Sequence, residues 1–297
     1  MTTKDYLQRI VFEEIDSRCV YVRLENVVAE VLAKDDYPAA VAELLAQSLL
    51  VAAALSSGVK FQGRVSLQLQ TSGVLKLLVA DCTHEGGLRG IAKLKEGAAC
   101  PPSLDALWAE LDQAGMLTLT LEPSDGGQRW QGIVPLEGRG LVEAIEAYFR
   151  RSEQLDTRLA LAFGNGAGAA LMVQQMPASG STDVDEDGWD RLGHLMATLG
   201  SAEMLKISGS ELLERLFHQE RRRVFPATPL RFNCPCSRER VLDLLGSLGA
   251  AELASLFQIQ EVVEVRCQFC NQAYEFAQDD LGSLIDPSQP GGSQTVH

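Results

Sequence analysis

The chain has 297 residues, 46% of them hydrophobic and 22% charged, enough for one large core or two unequal ones. Its formal net charge of −14 repels phosphate backbones and argues against general nucleic-acid binding. Charges break up residues 1–16, so nothing there has the form of a signal peptide, and the expected location is the cytoplasm.

In chain order, residues 20–24 alternate as a strand does, and an Ala-rich apolar run then spans residues 39–55. That run holds Glu43, Gln47 and Ser48, with Pro38 before it and Gly58 after, which predicts a buried helix and no membrane span. Val65, Leu67 and Leu69 alternate with polar residues, and Ser72-Gly73 turns the chain into a second strand over 74–81. Further strands are expected at 88–94, 117–121, 130–136, 159–163 and 170–173, and a helix at 141–151. The fold class is therefore α+β: a mostly antiparallel sheet domain with packed helices over residues 1–178.

Residues 177–182 are small and polar, and residues 183–190 carry five acids and no base, which marks a linker. Two amphipathic helices are expected within this 179–231 segment. Trp189, Leu192, Leu195, Met196 and Leu199 share one helical face. Ser208 and Glu211 have capping-box spacing ahead of Leu212, Leu213, Leu216 and Phe217, and Arg221, Arg222 and Arg223 are placed in that helix's last turn. A small module follows over 232–285, and a Pro/Gly/Ser-rich tail, expected to be disordered, over 286–297.

The chemistry concentrates in that module. Cys234 and Cys236 form a C-x-C pair, Cys267 and Cys270 a C-x-x-C pair, and 30 residues separate the two. Paired thiolates on two short turns suit tetrahedral zinc, and so small a module needs such a clip. Cys19, Cys82 and Cys100 lie far apart and read as ordinary reduced thiols. Across residues 232–280 three arginines face eight acids, the opposite of a nucleic-acid zinc module. Four thiolates leave no open coordination position, no histidine pair has H-E-x-x-H spacing, and the glycines at 164–168 lack the Lys-Ser/Thr of a phosphate loop. No catalytic site is expected, and the chain is not read as an enzyme. Thiolates are nucleophiles toward oxidants, so the site is either a permanent clip or a redox switch, and spacing does not choose between them.

At these residues the sequence resembles the redox-regulated holdase chaperones of the thirty-three-kilodalton heat-shock chaperonin family. The cysteine order matches, as do residues 236–240, the Cys267–Cys270 pair followed by Tyr274 and Phe276, the Y-F-R-R-S-E-Q run at 148–154, Leu88-Arg89-Gly90 and Tyr37-Pro38. The resemblance implies a reduced, inactive monomer with one Zn2+ on Cys234, Cys236, Cys267 and Cys270. It implies that oxidants form Cys234–Cys236 and Cys267–Cys270 disulfides and release zinc. The linker then unfolds and the oxidised chain, a homodimer, binds unfolding client proteins without ATP. The alternative is a constitutive zinc-clipped protein-interaction adaptor with no redox response.

Overall fold

The structure is a computed structural model that describes residues 4–58, 62–111, 115–177, 185, 187–258 and 260–285. The chain divides into two compact units, Met1–Asn233 and Cys234–His297. The expected disorder of 286–297 and most of the polar and acidic stretch at 177–190 lie outside the described residues.

The first unit opens with β1 (Tyr6–Phe12), β2 (Ser17–Leu24), α1 (Asn26–Leu32) and α2 (Ala39–Ser56). There follow β3 (Gly63–Gln70), β4 (Leu75–Thr83), β5 (Gly87–Leu94), α3 (Leu104–Leu111), β6 (Met116–Pro123) and β7 (Trp130–Pro135). Next come α4 (Leu141–Tyr148), a π-helical turn (Phe149–Glu153), β8 (Thr157–Gly164) and β9 (Ala167–Gln175). The unit closes with α5 (Gly188–Ala197), α6 (Ser201–Lys206), α7 (Gly209–Phe217), β10 (Arg222–Val224), β11 (Thr228–Pro229) and β12 (Arg231–Phe232). The strands form two sheets, β10-β1-β2-β9-β8 with β11 also on β1, and β12-β5-β4-β3-β6-β7. Apart from the parallel β12–β5 pairing, the neighbours in both sheets are antiparallel, as the alternating sequence predicts.

Helix α2 explains its own composition. It packs against β3, β4 and β5 of one sheet and β2, β8 and β9 of the other, so nearly every side of it is buried. A helix in that position has to be apolar all round, which is why it is also long and apolar enough to cross a membrane. Its polar Ser48 is fully buried and donates to the Leu44 carbonyl at 2.8 Å.

The first sheet is buried on both faces. Along β2, Val20, Val22 and Leu24 join the α2 core, while Cys19 and Tyr21 point into a second core on the opposite face. This period-two division is the strand geometry itself. The second core is closed by α5, α6 and α7 through Leu192, Met196, Met204, Leu212, Leu213, Leu216 and Phe217. Phe217 meets Phe12 edge-on at 5.0 Å. The amphipathic stripes of the expected linker helices therefore lie on the first sheet, and α6 is a further helix between them.

Ser208 caps α7, its Oγ accepting from the Glu211 N–H at 3.2 Å. Gly209 sits so close to the sheet that a Cβ there would lie 2.2 Å from Tyr21 Cε1. Only a residue without a side chain lets α7 dock at that point. The structure corrects the placement of Arg221, Arg222 and Arg223. Helix α7 ends at Phe217, and Arg222 and Arg223 lie on β10, paired with β1. Each arginine of the triplet meets an acid: Arg221 pairs with Glu14, Arg222 with Glu214 and Arg223 with Glu13. Tertiary strand pairing has overridden the helical reading. Asp185, from the acidic stretch, pairs with Arg191 at 2.6 Å, and Arg191 also binds the buried Glu220 at 2.7 Å.

The second unit holds α8 (Arg238–Gly246), α9 (Ala250–Leu256), the antiparallel hairpin β13 (Val262–Arg266) and β14 (Ala273–Ala277), a short 3-10 turn (Gln278–Leu281) and α10 (Gly282–Ile285). Its buried apolar residues among those described are Val241, Leu245, Leu253, Val263, Phe276 and Leu281. A core that small supplies only about 3–5 kcal/mol at best.

Candidate metal centre

Each half of the centre is a tight turn. Cys234 and Cys236 follow β12 directly and precede α8, whose cap is Ser237, accepting from the Arg240 N–H at 3.3 Å. Cys267 and Cys270 occupy the turn of the β13–β14 hairpin. There the Cys267 N–H donates to the Gln272 carbonyl at 2.9 Å and the Asn271 N–H to the Cys267 carbonyl at 2.8 Å. Asn271 takes a left-handed φ of 60°, a conformation asparagine tolerates better than most residues. The hairpin register thus sets both thiols on one side of the turn.

The four sulfurs converge, all within 4.8 Å of one another and each half-buried. Cys234 Sγ lies 3.7 Å from Cys267 Sγ, and Cys236 Sγ 3.3 Å from Cys270 Sγ. A tetrahedral zinc with bonds of about 2.3 Å needs sulfurs about 3.8 Å apart, so this donor set fits such an ion in number, chemistry and spacing. Cys19 and Cys82 are instead fully buried in the first unit, where burial pushes both thiols up, and Cys100 lies apart from the cluster.

The thiols are not equivalent. Burial pushes Cys234 up, only partly opposed by the backbone N–H of Cys236. Burial also raises Cys267, but the N–H groups of Cys270 and Phe269 and the neighbouring thiols outweigh it, so that thiol sits below its ordinary value. Cys270 is raised, again chiefly by burial.

Three residues around the cluster have roles that sequence reasoning left unassigned. Tyr274 donates its hydroxyl to Cys236 Sγ at 3.2 Å, and that bond, with burial, pushes the phenol up to about 12. Arg240 Nη1 donates to the Pro235 carbonyl at 2.6 Å, holding the loop between the first two cysteines. Arg238 lies over the Phe276 ring at 4.3 Å, donates to the Glu275 carbonyl at 2.6 Å and pairs with Asp280 at 2.9 Å. Their presence beside the cysteines in the matching motifs was the available signal. A charge count treated the arginines only as a balance.

A two-sheet unit built around a central helix, followed by a small unit closed by four converging thiols, defines a two-unit protein with a thiol-rich metal-binding module. The sequence model described as Hsp33 protein matches residues 5–277. A 33 kDa chaperonin of Hahella chejuensis is 40% identical over 293 residues, 99% of each chain, and that of Azotobacter vinelandii is 41% identical over 301 residues, all of both chains. The crystal structure of a 33 kDa chaperonin from Thermotoga maritima has the same fold, with a TM-score of 0.80 at 21% identity over 94% of this chain and 97% of that one. The chain belongs to the Hsp33 family.

Proposed function

We propose that this chain is a cytoplasmic, ATP-independent holdase that binds unfolding proteins after oxidation of its four-thiol centre. The observation that carries the reading is the convergence of four thiols on a module whose own core is too small to hold it. Its domains are read as a client-binding body over 1–178, a helical linker over 179–231, the switch over 232–285 and a tail over 286–297. Bound zinc holds the four sulfurs as thiolates and supplies on the order of 10–16 kcal/mol of apparent folding energy.

Oxidation acts on the sulfurs. One thiolate of a pair displaces hydroxide from hydrogen peroxide and becomes a sulfenic acid. The second thiolate displaces hydroxide from that sulfur and closes the disulfide. Forming two disulfides passes four electrons from the four thiolates to two peroxides, and the four hydroxides leave as water after protonation. A centre so oxidised has no thiolates with which to hold the metal, and the energy that folds the module goes with it.

The reading predicts Cys234–Cys236 and Cys267–Cys270 disulfides, although the sulfur contacts of 3.7 and 3.3 Å run between the motifs. Once the module opens, closing a ring between motif neighbours costs less chain entropy than closing one across 30 residues. Zinc release under peroxide, followed with a chromogenic chelator, and peptide mapping of the product test this together. Retention of zinc would overturn the switch, and dominant Cys236–Cys270 and Cys234–Cys267 pairing would overturn the proposed product.

Tyr274 sets the rate. A donor on sulfur withdraws electron density from the nucleophile, so Tyr274→Phe should speed zinc release about fivefold, the worth of one hydrogen bond of about 1 kcal/mol. Stopped-flow release at fixed peroxide measures this. A rate equal to that of the unsubstituted chain removes the hydroxyl from the mechanism.

A further inference from the structure

A cavity of ≈430 Å³ opens in the first unit where the end of α2, both sheets and the π-helical turn meet. Leu55, Leu119, Leu121, Phe149, Leu155 and Met172 make its walls largely apolar. Trp130 and Tyr148 also line it, their rings crossing edge-on at 6.5 Å, and Trp130 remains 40% exposed. The volume falls in the range of about 300–1,000 Å³ usual for small-molecule sites.

Arg18 stands in this apolar wall. Its Nε donates to Gln174 Oε1 at 3.0 Å and its Nη2 to the same oxygen, and among the described residues it forms no ion pair. Burial pushes its guanidinium below the ordinary arginine value, with no neighbouring charge contributing. A half-buried guanidinium held by a neutral amide retains donors and a charge that an anion would satisfy. Glu153, also in the lining, accepts a hydrogen bond from the Tyr148 hydroxyl at 3.1 Å.

The backbone adds an independent sign. The Phe149–Glu153 turn is π-helical, and Gln154 after it has a φ of 54°, left-handed for a residue with a side chain. Such turns gather at functional sites, where the surrounding structure maintains their strain. The turn lies within the 148–154 run that the centre at Cys234, Cys236, Cys267 and Cys270 does not use.

We propose that this cavity binds a small amphipathic carboxylate, an alkyl or aryl acid whose head pairs with Arg18 and whose body covers Leu119, Leu121, Phe149 and Met172. The site is independent of the redox reading. Its charge-assisted pairing is the geometry arginine favours with carboxylates, and the apolar walls select against fully hydrated anions.

Calorimetric titration of the full reduced, zinc-loaded chain with decanoate and with decanol, both below micelle formation, tests it. Decanoate should bind saturably and about tenfold more tightly than decanol, equivalent to about 1.4 kcal/mol. Arg18→Met should erase the difference and Arg18→Lys should restore part of it, while Leu121→Trp, filling the cavity, should abolish binding of both. Thermal unfolding checks that each variant is folded. Where Arg18→Met fails that check, Glu153→Gln substitutes for it and should raise decanoate affinity relative to decanol. Equal affinities for the two probes, no saturable binding, or a preference unmoved by the folded variants would overturn the proposal.

Discussion

A thermally unfolding client heated with the reduced chain should scatter light as fast as it does alone. After peroxide treatment, and without nucleotide, the same chain should suppress scattering at least about tenfold more effectively. A population shift of a few kcal/mol is enough for that contrast, and the loss of metal removes more. The surface expected to meet the client is the outer face of the first sheet. Phe12, Tyr21, Leu171 and Val173 there form a continuous apolar layer whose cover is α5, α6 and α7. Short helices of this kind do not persist in water without a surface to pack on, so their release both exposes the sheet and frees three amphipathic segments. The net charge of −14 would keep that state dispersed. Gly209→Val should reach the proposed state by another route. A side chain there collides with Tyr21 and levers α7 from the sheet, so the reduced variant should already suppress scattering. Equal suppression by both redox forms of the unsubstituted chain would favour the constitutive adaptor, and suppression by neither would remove the chaperone reading.

Cys267→Ser should carry the largest structural effect. It removes one sulfur of the four and leaves three donors around a position that suits a closed tetrahedral ion. Metal analysis should find zinc well below one per chain, and hydrogen exchange should find the second unit unprotected, because a core of this size does not offset its own conformational entropy. Protection in β3, β4 and β6 should be unchanged, since those strands belong to the α2 core. Cys100→Ser should leave both measurements as they were. Full zinc in Cys267→Ser would overturn the ligand assignment. Loss of protection in β3, β4 and β6 would mean that the α2 core depends on the second unit.

Much of the first unit was legible in sequence because its strands alternate. The Val65, Leu67, Leu69 pattern became β3, residues 88–94 fell within β5, and the apolar run after Pro38 became α2. Strand β1 was missed. Its Gln8 and Arg9 interrupt the apolar residues, and besides β2 it is held by β10 and β11, which lie about 200 residues further on and were not expected as strands. Helices α1, α3 and α6 were missed as well. They have six to eight residues each, too few for periodicity to declare itself. The arginine triplet was assigned to a helix because local capping rules cannot register a strand edge supplied by residues 10–12.

The metal centre was the reverse case. Cysteine spacing alone named the four residues whose sulfurs converge, because each pair sits on a short local turn, as zinc sites built from paired cysteines do. Their inequality was not local. The depressed Cys267, the raised Cys234 and the Tyr274 hydroxyl on Cys236 depend on which groups the hairpin and α8 bring within hydrogen-bonding distance. So do the two-faced burial of the first sheet and the placing of Arg18 in an apolar wall. By itself the sequence determined the α+β class, the central helix and the four sulfurs, because periodicity and spacing are properties of neighbouring residues. Only the tertiary structure decided what covers the sheet, how the environments of the thiols come to differ and where Arg18 meets a neutral amide in an apolar wall, because each depends on atoms that meet from segments far apart along the chain.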